Sequence, residues 1–299
     1  MSVWASYRAA LQNRGLVVPV LLGVRLLSLA LIAPALGLIV QIAIRRTGQQ
    51  ALTDQDIAYF ILSPLGFPLF LGVLGFVLIG TVIGFAVITL AQSAPSGSAL
   101  GDLRAALARI ASRLPRLLEY AVRLVLRILL IIAPFAAVGL FTTQRLVGTY
   151  DINYYLSNRP PEFLATVAIC ASLGLIGGSL LIQRLLGWAL SLHYVLFDAA
   201  TPSQAFASSE ETMRGHKLSL LRQLALWYVI RAAALAVIAF VFVLALRGIH
   251  LLPVGFEVKL TVALIVTSLW TIVGFVAAAL SIGALAWLLA QIYDGPTLV

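Results

Sequence analysis

Residues 64–92 read PLGFPLFLGVLGFVLIGTVIGFAVITLAQ and contain no Asp, Glu, Lys, Arg or His. A helix crossing the ~30 Å hydrocarbon core of a bilayer needs about 20 apolar residues, and this run exceeds that length. Working outward, comparable runs lie at about 16–44, 117–143, 163–198, 218–247 and 260–292. The composition agrees: 62% of residues are hydrophobic and 10% are charged, where a soluble domain carries roughly 25% charged residues. A chain this apolar uses lipid as part of its solvent. The expected fold is all-α, a polytopic transmembrane helical bundle of about six spans, forming a single membrane domain over residues 1–299.

The net charge of +9 is no sign of nucleic-acid binding. A nucleic-acid face gathers its cations on one wet surface, whereas these sit at helix ends and in short loops. Arginine dominates, with Lys217 and Lys259 the only lysines. One set of connections holds Arg8, Arg14, Arg104, Arg109, Arg113, Arg116, Arg214 and Lys217; Arg123 and Arg222 lie at the edges of the adjoining spans. The opposite set holds Arg45, Arg46, Arg145, Arg159, Arg247 and Lys259. The excess on the first side places both termini in the cytoplasm of a multi-pass cell (inner) membrane protein, with anionic lipids as expected partners. The first apolar run continues to about Ile44, beyond the roughly 7–15 residues of a signal-peptide core, so it is read as a retained span. Cys170, the single cysteine, reads as a small hydrophobe.

Several connections carry structure of their own. In Ser98–Leu118, residues Leu100, Leu103, Leu107, Ile110, Leu114 and Leu117 recur at steps of three and four, with Arg104, Arg109, Arg113 and Arg116 off the stripe. That pattern suits a helix in the membrane interface, or one docked on the bundle. Thr201-Pro202-Ser203-Gln204 reads as a capping box opening a short cytoplasmic helix that ends near Arg214-Gly215. Thr53-Asp54-Gln55-Asp56 can open a short helix on the outer side, and Tyr150, Tyr154 and Tyr155 read as interfacial anchors. The fourth run is too long for a simple crossing. With Gly174, Gly177 and Gly178 at its middle, it is either one long tilted helix or a span followed by a turn. The glycines Gly72, Gly75, Gly80 and Gly84 read as close helix contacts. A weak repeat is also present. Arg8-Ala9-Ala10-Leu11 precedes Arg25 and Pro34, Arg104-Ala105-Ala106-Leu107 precedes Arg123 and Pro134, and Gln204-Ala205-Phe206 precedes Arg222. It describes three tandem units of amphipathic helix plus helical hairpin.

The candidate site residues are arginines inside spans: Arg25, Arg127, Arg184 and Arg231. An Arg at a helix centre costs about 2.5–3.5 kcal/mol on insertion scales, so each needs a partner or a route to the headgroups. Two readings stand. Either each guanidinium snorkels to the interface, or the four face inward and bind a lipid phosphate, whose oxygens suit the guanidinium fork. Supporting residues are Glu119, spaced for an i,i+4 pair with Arg123, and His193 with Asp198, either a proton relay or a locally bonded helix end. No metal-ligand spacing, phosphate loop or nucleophile elbow is present, so no catalytic residue, metal or cofactor is assigned.

Leu62-Ser63-Pro64-Leu65-Gly66, Arg113-Leu114-Pro115-Arg116-Leu117-Leu118, the 151–162 loop DINYYLSNRPPE, and Ser203-Gln204-Ala205-Phe206 with Met213-Arg214-Gly215 behind it together resemble one family. It is the membrane domain found N-terminal to some bacterial glycerophosphoryl diester phosphodiesterases, and the likeness spans nearly the whole chain. In that family a metal-assisted (β/α) barrel follows and performs hydrolysis. These 299 residues hold three scattered His and no His-Arg-Gly segment. The resemblance therefore implies a non-enzymatic membrane module that binds anionic lipid or anchors a separately encoded partner protein. The alternative is a small transporter or flippase for a lipid or phosphodiester.

Overall fold

Long apolar runs rich in Leu, Ala and Val leave the backbone no water to bond, so the chain satisfies its own N–H and C=O groups as helix. The computed structural model describes residues 2–47, 60, 63–93, 98–147, 152–251 and 253–295, and among these residues there is no strand. The helices are α1 (Val3–Gln12), α2 (Arg14–Thr47), α3 (Gly66–Ser93), α4 (Ala99–Leu146), α5 (Ile152–Asn158), α6 (Pro161–Gly187), α7 (Ser191–Phe197), α8 (Pro202–Thr212), α9 (Lys217–Leu251) and α10 (Phe256–Asp294). Five stretches are long and apolar enough to cross a membrane: α3, α4, α6 with α7, α9 and α10. The first expected span falls on α2, a helix of 34 residues. The short helix expected from Thr53, together with Tyr150 and Asp151, lies outside the described residues.

The chain divides into two compact units, residues 1–117 with 218–299, and residues 118–217. In each, burial concentrates at one end of the spans. In the first unit it takes in the start of α2 (Leu16, Val17, Val20, Leu21), the end of α3 (Ala86, Val87, Ile88, Leu90) and the end of α10 (Ala284, Ala286, Leu288, Ile292). In the second it takes in Tyr120 and Ala121 as α4 enters, then Leu190, Val195, Leu196 and Phe206. Elsewhere the spans present apolar side chains outward, Leu130, Leu175, Val237 and Phe240 among them, as expected for surfaces covered by lipid.

Small residues set the close approaches. A Cβ at Gly283 would sit 2.8 Å from Val17 Cγ1 and 3.5 Å from the Ala10 Cβ, and one at Gly84 would sit 3.0 Å from Val24 Cγ1. The first unit is thus drawn together where α10 meets α1 and α2, and where α3 meets α2. Of the glycines expected at contacts, Gly84 is one; Gly72 meets nothing within 4 Å.

One expectation is corrected in detail, and one pair of alternatives is resolved. The amphipathic 98–118 segment is not separate from the third span: both form α4, 48 residues and about 72 Å long at 1.5 Å per residue. That is more than twice the hydrocarbon thickness, so its Arg-rich first part extends beyond the core. Its buried line runs through Asp102, Ala106, Ile110 and Leu117, while Leu107 and Leu114 of the expected stripe are exposed. The fourth run takes the second of its two readings, a span followed by a turn: α6 stops at Gly187, Trp188 to Leu190 turn, and α7 resumes at Ser191. The capping expectation holds. Gln204 Oε1 accepts from the Thr201 N–H at 3.2 Å, Pro202 opens α8, and Gly215 at φ +85° closes the segment.

Candidate functional site

In the second unit the three arginines Arg123, Arg127 and Arg184 each have a protein partner. Arg123 pairs with Glu119 at 2.7 Å, one turn away, and donates to Ser203 Oγ on α8. Arg127, deeper on α4, lays its guanidinium 4.0 Å from the Phe206 ring centroid and 5.3 Å from that of Trp188. Phe206 is fully buried; it stacks on Tyr120 at 5.2 Å and meets Trp188 edge-on at 5.6 Å. The aromatic faces supply the negative charge that a desolvated cation needs, an interaction worth roughly 0.5–2 kcal/mol. Arg184 pairs with Glu210 at 3.0 Å, with both side chains well exposed. His193 is fully buried with its ring 6.1 Å from that of Phe197, whereas Asp198 is exposed and caps α7.

The turn between α6 and α7 is held from outside. Where the helical ladder breaks, the Ser209 hydroxyl of α8 donates to the Gly187 carbonyl at 2.7 Å and accepts from the Leu190 N–H at 3.1 Å. One buried side chain thus satisfies both backbone groups freed by the break. Tyr120 Oη and Ser191 Oγ bond at 2.8 Å, and Ser191 donates to the Trp188 carbonyl at 2.5 Å. Trp188 Nε1 is a buried donor without a hydrogen-bond partner among the described residues.

The first unit is arranged differently. Arg25 on α2 is exposed, 5.8 Å from the Phe275 ring centroid, and half-buried Arg231 on α9 lies 5.6 Å from the ring of Trp227. Neither has a carboxylate partner among the described residues. Around Arg231 stands a polar group spanning three helices. Tyr7 Oη of α1 donates to the Trp227 carbonyl at 3.3 Å and bonds Ser281 Oγ of α10 at 3.0 Å, while Trp227 Nε1 donates to the Ser281 carbonyl at 2.8 Å. Burial pushes the Tyr7 phenol above its usual value, against the opposing pull of Ser281 and the Arg231 charge, so it remains a neutral hydroxyl. Ser6 Oγ, both amide atoms of Gln92, Gln223 Oε1, Trp287 Nε1 and Gln291 Oε1 are buried with no hydrogen-bond partner among the described residues. Buried polar atoms of this kind are uncommon and call for an explanation.

The four candidate arginines are therefore divided, Arg25 and Arg231 in the first unit and Arg127 and Arg184 in the second. Tyr7, Trp227, Gln223 and Ser281 escaped the sequence reading. The spacing of Gln223, Trp227 and Arg231, four residues apart in an apolar helix, was the available signal, since polar residues in spans turn inward. Tyr7 and Ser281 are 274 positions apart, and no local pattern joins them.

The family model for the membrane domain of glycerophosphoryl diester phosphodiesterase matches residues 3–294. The chain belongs to this family. No curated protein and no solved structure matches it. A membrane-domain family and five long apolar stretches together make the chain a multi-pass membrane protein. Within this membrane domain the second unit uses its arginines to fasten α8 to the spans, and in the first unit Arg25 and Arg231 have no carboxylate partner, and several buried polar atoms no hydrogen-bond partner, among the described residues.

Proposed function

We propose that this membrane domain is a non-catalytic module of the cell (inner) membrane, with both termini cytoplasmic, that binds anionic lipid through Arg25 and Arg231. The observation carrying this reading is that both lie in apolar helices where, among the described residues, the guanidinium meets a single aromatic ring at 5.6–5.8 Å, in contrast to the two rings, the nearer at 4.0 Å, that enclose Arg127. At about 2.5–3.5 kcal/mol per Arg near a helix centre, a lipid phosphate is the partner that offsets their insertion and fits their donors. Arg127 and Arg184 belong to the fold instead. Native mass spectrometry of the detergent-purified chain tests this. Wild type and Arg184→Ala retain anionic phospholipid, and the Arg25→Ala/Arg231→Ala variant loses it. Equal retention by all three overturns lipid binding at these arginines, and hydrolysis of a glycerophosphodiester by the purified chain overturns the non-catalytic reading.

A further inference from the structure

Gln223, Trp227 and Arg231 are spaced i, i+4, i+8 on α9 and so form one stripe along that helix. Trp227 fixes where the stripe faces, because its carbonyl and indole bond Tyr7 of α1 and Ser281 of α10. The guanidinium of Arg231 lies against the Trp227 ring, one turn back along the stripe, in the direction of Gln223. At the far end Gln223 Oε1 is buried, and beside Tyr7 in the chain the Ser6 hydroxyl is fully buried, both without a hydrogen-bond partner among the described residues. The stripe thus offers a cation at one end and an unsatisfied amide at the other.

These groups specify the chemistry of a ligand. Arg231 has donors only and calls for an anion. Gln223 Oε1 is an acceptor and calls for a donor. An ammonium group would meet the Arg231 charge with no carboxylate nearby, whereas a hydroxyl meets no repulsion. A hydroxyl also serves the Gln223 amide in either orientation, since it both donates and accepts. We propose that the Gln223–Trp227–Arg231 stripe, closed by Tyr7 and Ser281, is a binding site for a phosphate ester that carries a hydroxyl, with the phosphate on Arg231 and the hydroxyl on Gln223. This rests on the lipid-binding reading above and names the headgroup class. The same chemistry is present in a polyol phospholipid headgroup and in a water-soluble polyol phosphate.

The test equilibrates the full chain in detergent with equal amounts of phosphatidylglycerol, phosphatidic acid and phosphatidylethanolamine, and reads retained lipid by native mass spectrometry. Wild type favours phosphatidylglycerol over phosphatidic acid by about fivefold, the scale of one hydrogen bond to a neutral group. Gln223→Leu removes that preference but keeps anionic lipid bound. Its melting temperature does not fall, because the buried Oε1 it removes has no partner among the described residues. Gln223→Glu supplies a carboxylate in place of the ligand and lowers retention of both anionic lipids. Displacement of phosphatidylglycerol by soluble glycerol 3-phosphate assigns the site to free polyol phosphates, and failure to displace assigns it to the lipid. Equal retention of the two anionic lipids by wild type, or a preference unchanged in Gln223→Leu, overturns the site while leaving lipid binding by the arginines standing. No anionic lipid on wild type at all overturns both.

Discussion

The two units use arginine in opposite ways. In residues 118–217, Arg123, Arg127 and Arg184 each reach a carboxylate, hydroxyl or aromatic partner on a neighbouring element or one turn away. In the other unit, among the described residues, Arg25 and Arg231 each meet a single ring at 5.8 and 5.6 Å, where Arg127 has two at 4.0 and 5.3 Å, and several buried amide, indole and hydroxyl atoms have no partner. The same residue type in the same kind of helix is a fastening in one place and a candidate binding group in the other. What separates them is whether the protein itself supplies the complement. Substitutions in the second unit therefore read out in stability, and those at the Arg231 stripe read out in ligand.

The largest effect is expected at Phe206. It is fully buried, stacks on Tyr120, meets Trp188 edge-on and underlies the Arg127 guanidinium. Phe206→Ala leaves a cavity and removes the ring from a half-buried cation, at a cost of about 3–5 kcal/mol from the cavity alone. A thermal melt of the detergent-purified protein should show a loss of this size. A loss under about 0.5 kcal/mol, within the range of surface changes, would mean that the aromatic group does not hold the second unit together, and the contrast between the units would fail.

Ser209 comes next. Its hydroxyl bridges the Gly187 carbonyl and the Leu190 N–H where α6 breaks. Ser209→Ala strands two buried backbone groups, at about 1–3 kcal/mol each before relaxation, so a net loss of ~2 kcal/mol is expected in the same melt. Gln223→Leu in the first unit also removes a buried polar group, yet it strands nothing and should not destabilise. If both changes destabilise equally, Gln223 has a protein partner after all and the units are alike.

The sequence made the helical architecture legible because apolar length alone decides it: the run at 64–92 needs no tertiary information. The capping box at Thr201 was legible for the same local reason. The break at Gly187 was legible only as one of two alternatives, since what stabilises it is a hydroxyl 22 positions away. The continuity of α4 through Pro115 was missed: a proline before an apolar run reads as a boundary, and flanking Arg, Leu and Ala with strong helix preference carry the helix through. Arg25, Arg127, Arg184 and Arg231 were found by their cost in an apolar helix. Their division into satisfied and unsatisfied pairs depends on Phe206, Glu210, Phe275 and Trp227, and for all but Trp227 no local spacing reports the contact.

The smallest effect is expected at Arg184, and it sharpens the comparison from the other side. Its ion pair with Glu210 has good geometry, 3.0 Å, but the two side chains are 59% and 39% exposed. Water screens such a pair and ordering two long side chains opposes it, so exposed pairs typically contribute about 0–1 kcal/mol. Arg184→Ala should therefore shift the melt by no more than that. It should also leave lipid retention unchanged, because Glu210 already satisfies the charge within the protein. Raised salt should shrink the remaining difference between wild type and variant, since exposed charges are screened over about 10 Å at 0.1 M. A loss of bound lipid in Arg184→Ala would put a lipid contact in the second unit, and pairing with a protein carboxylate would no longer distinguish a structural arginine from a binding one.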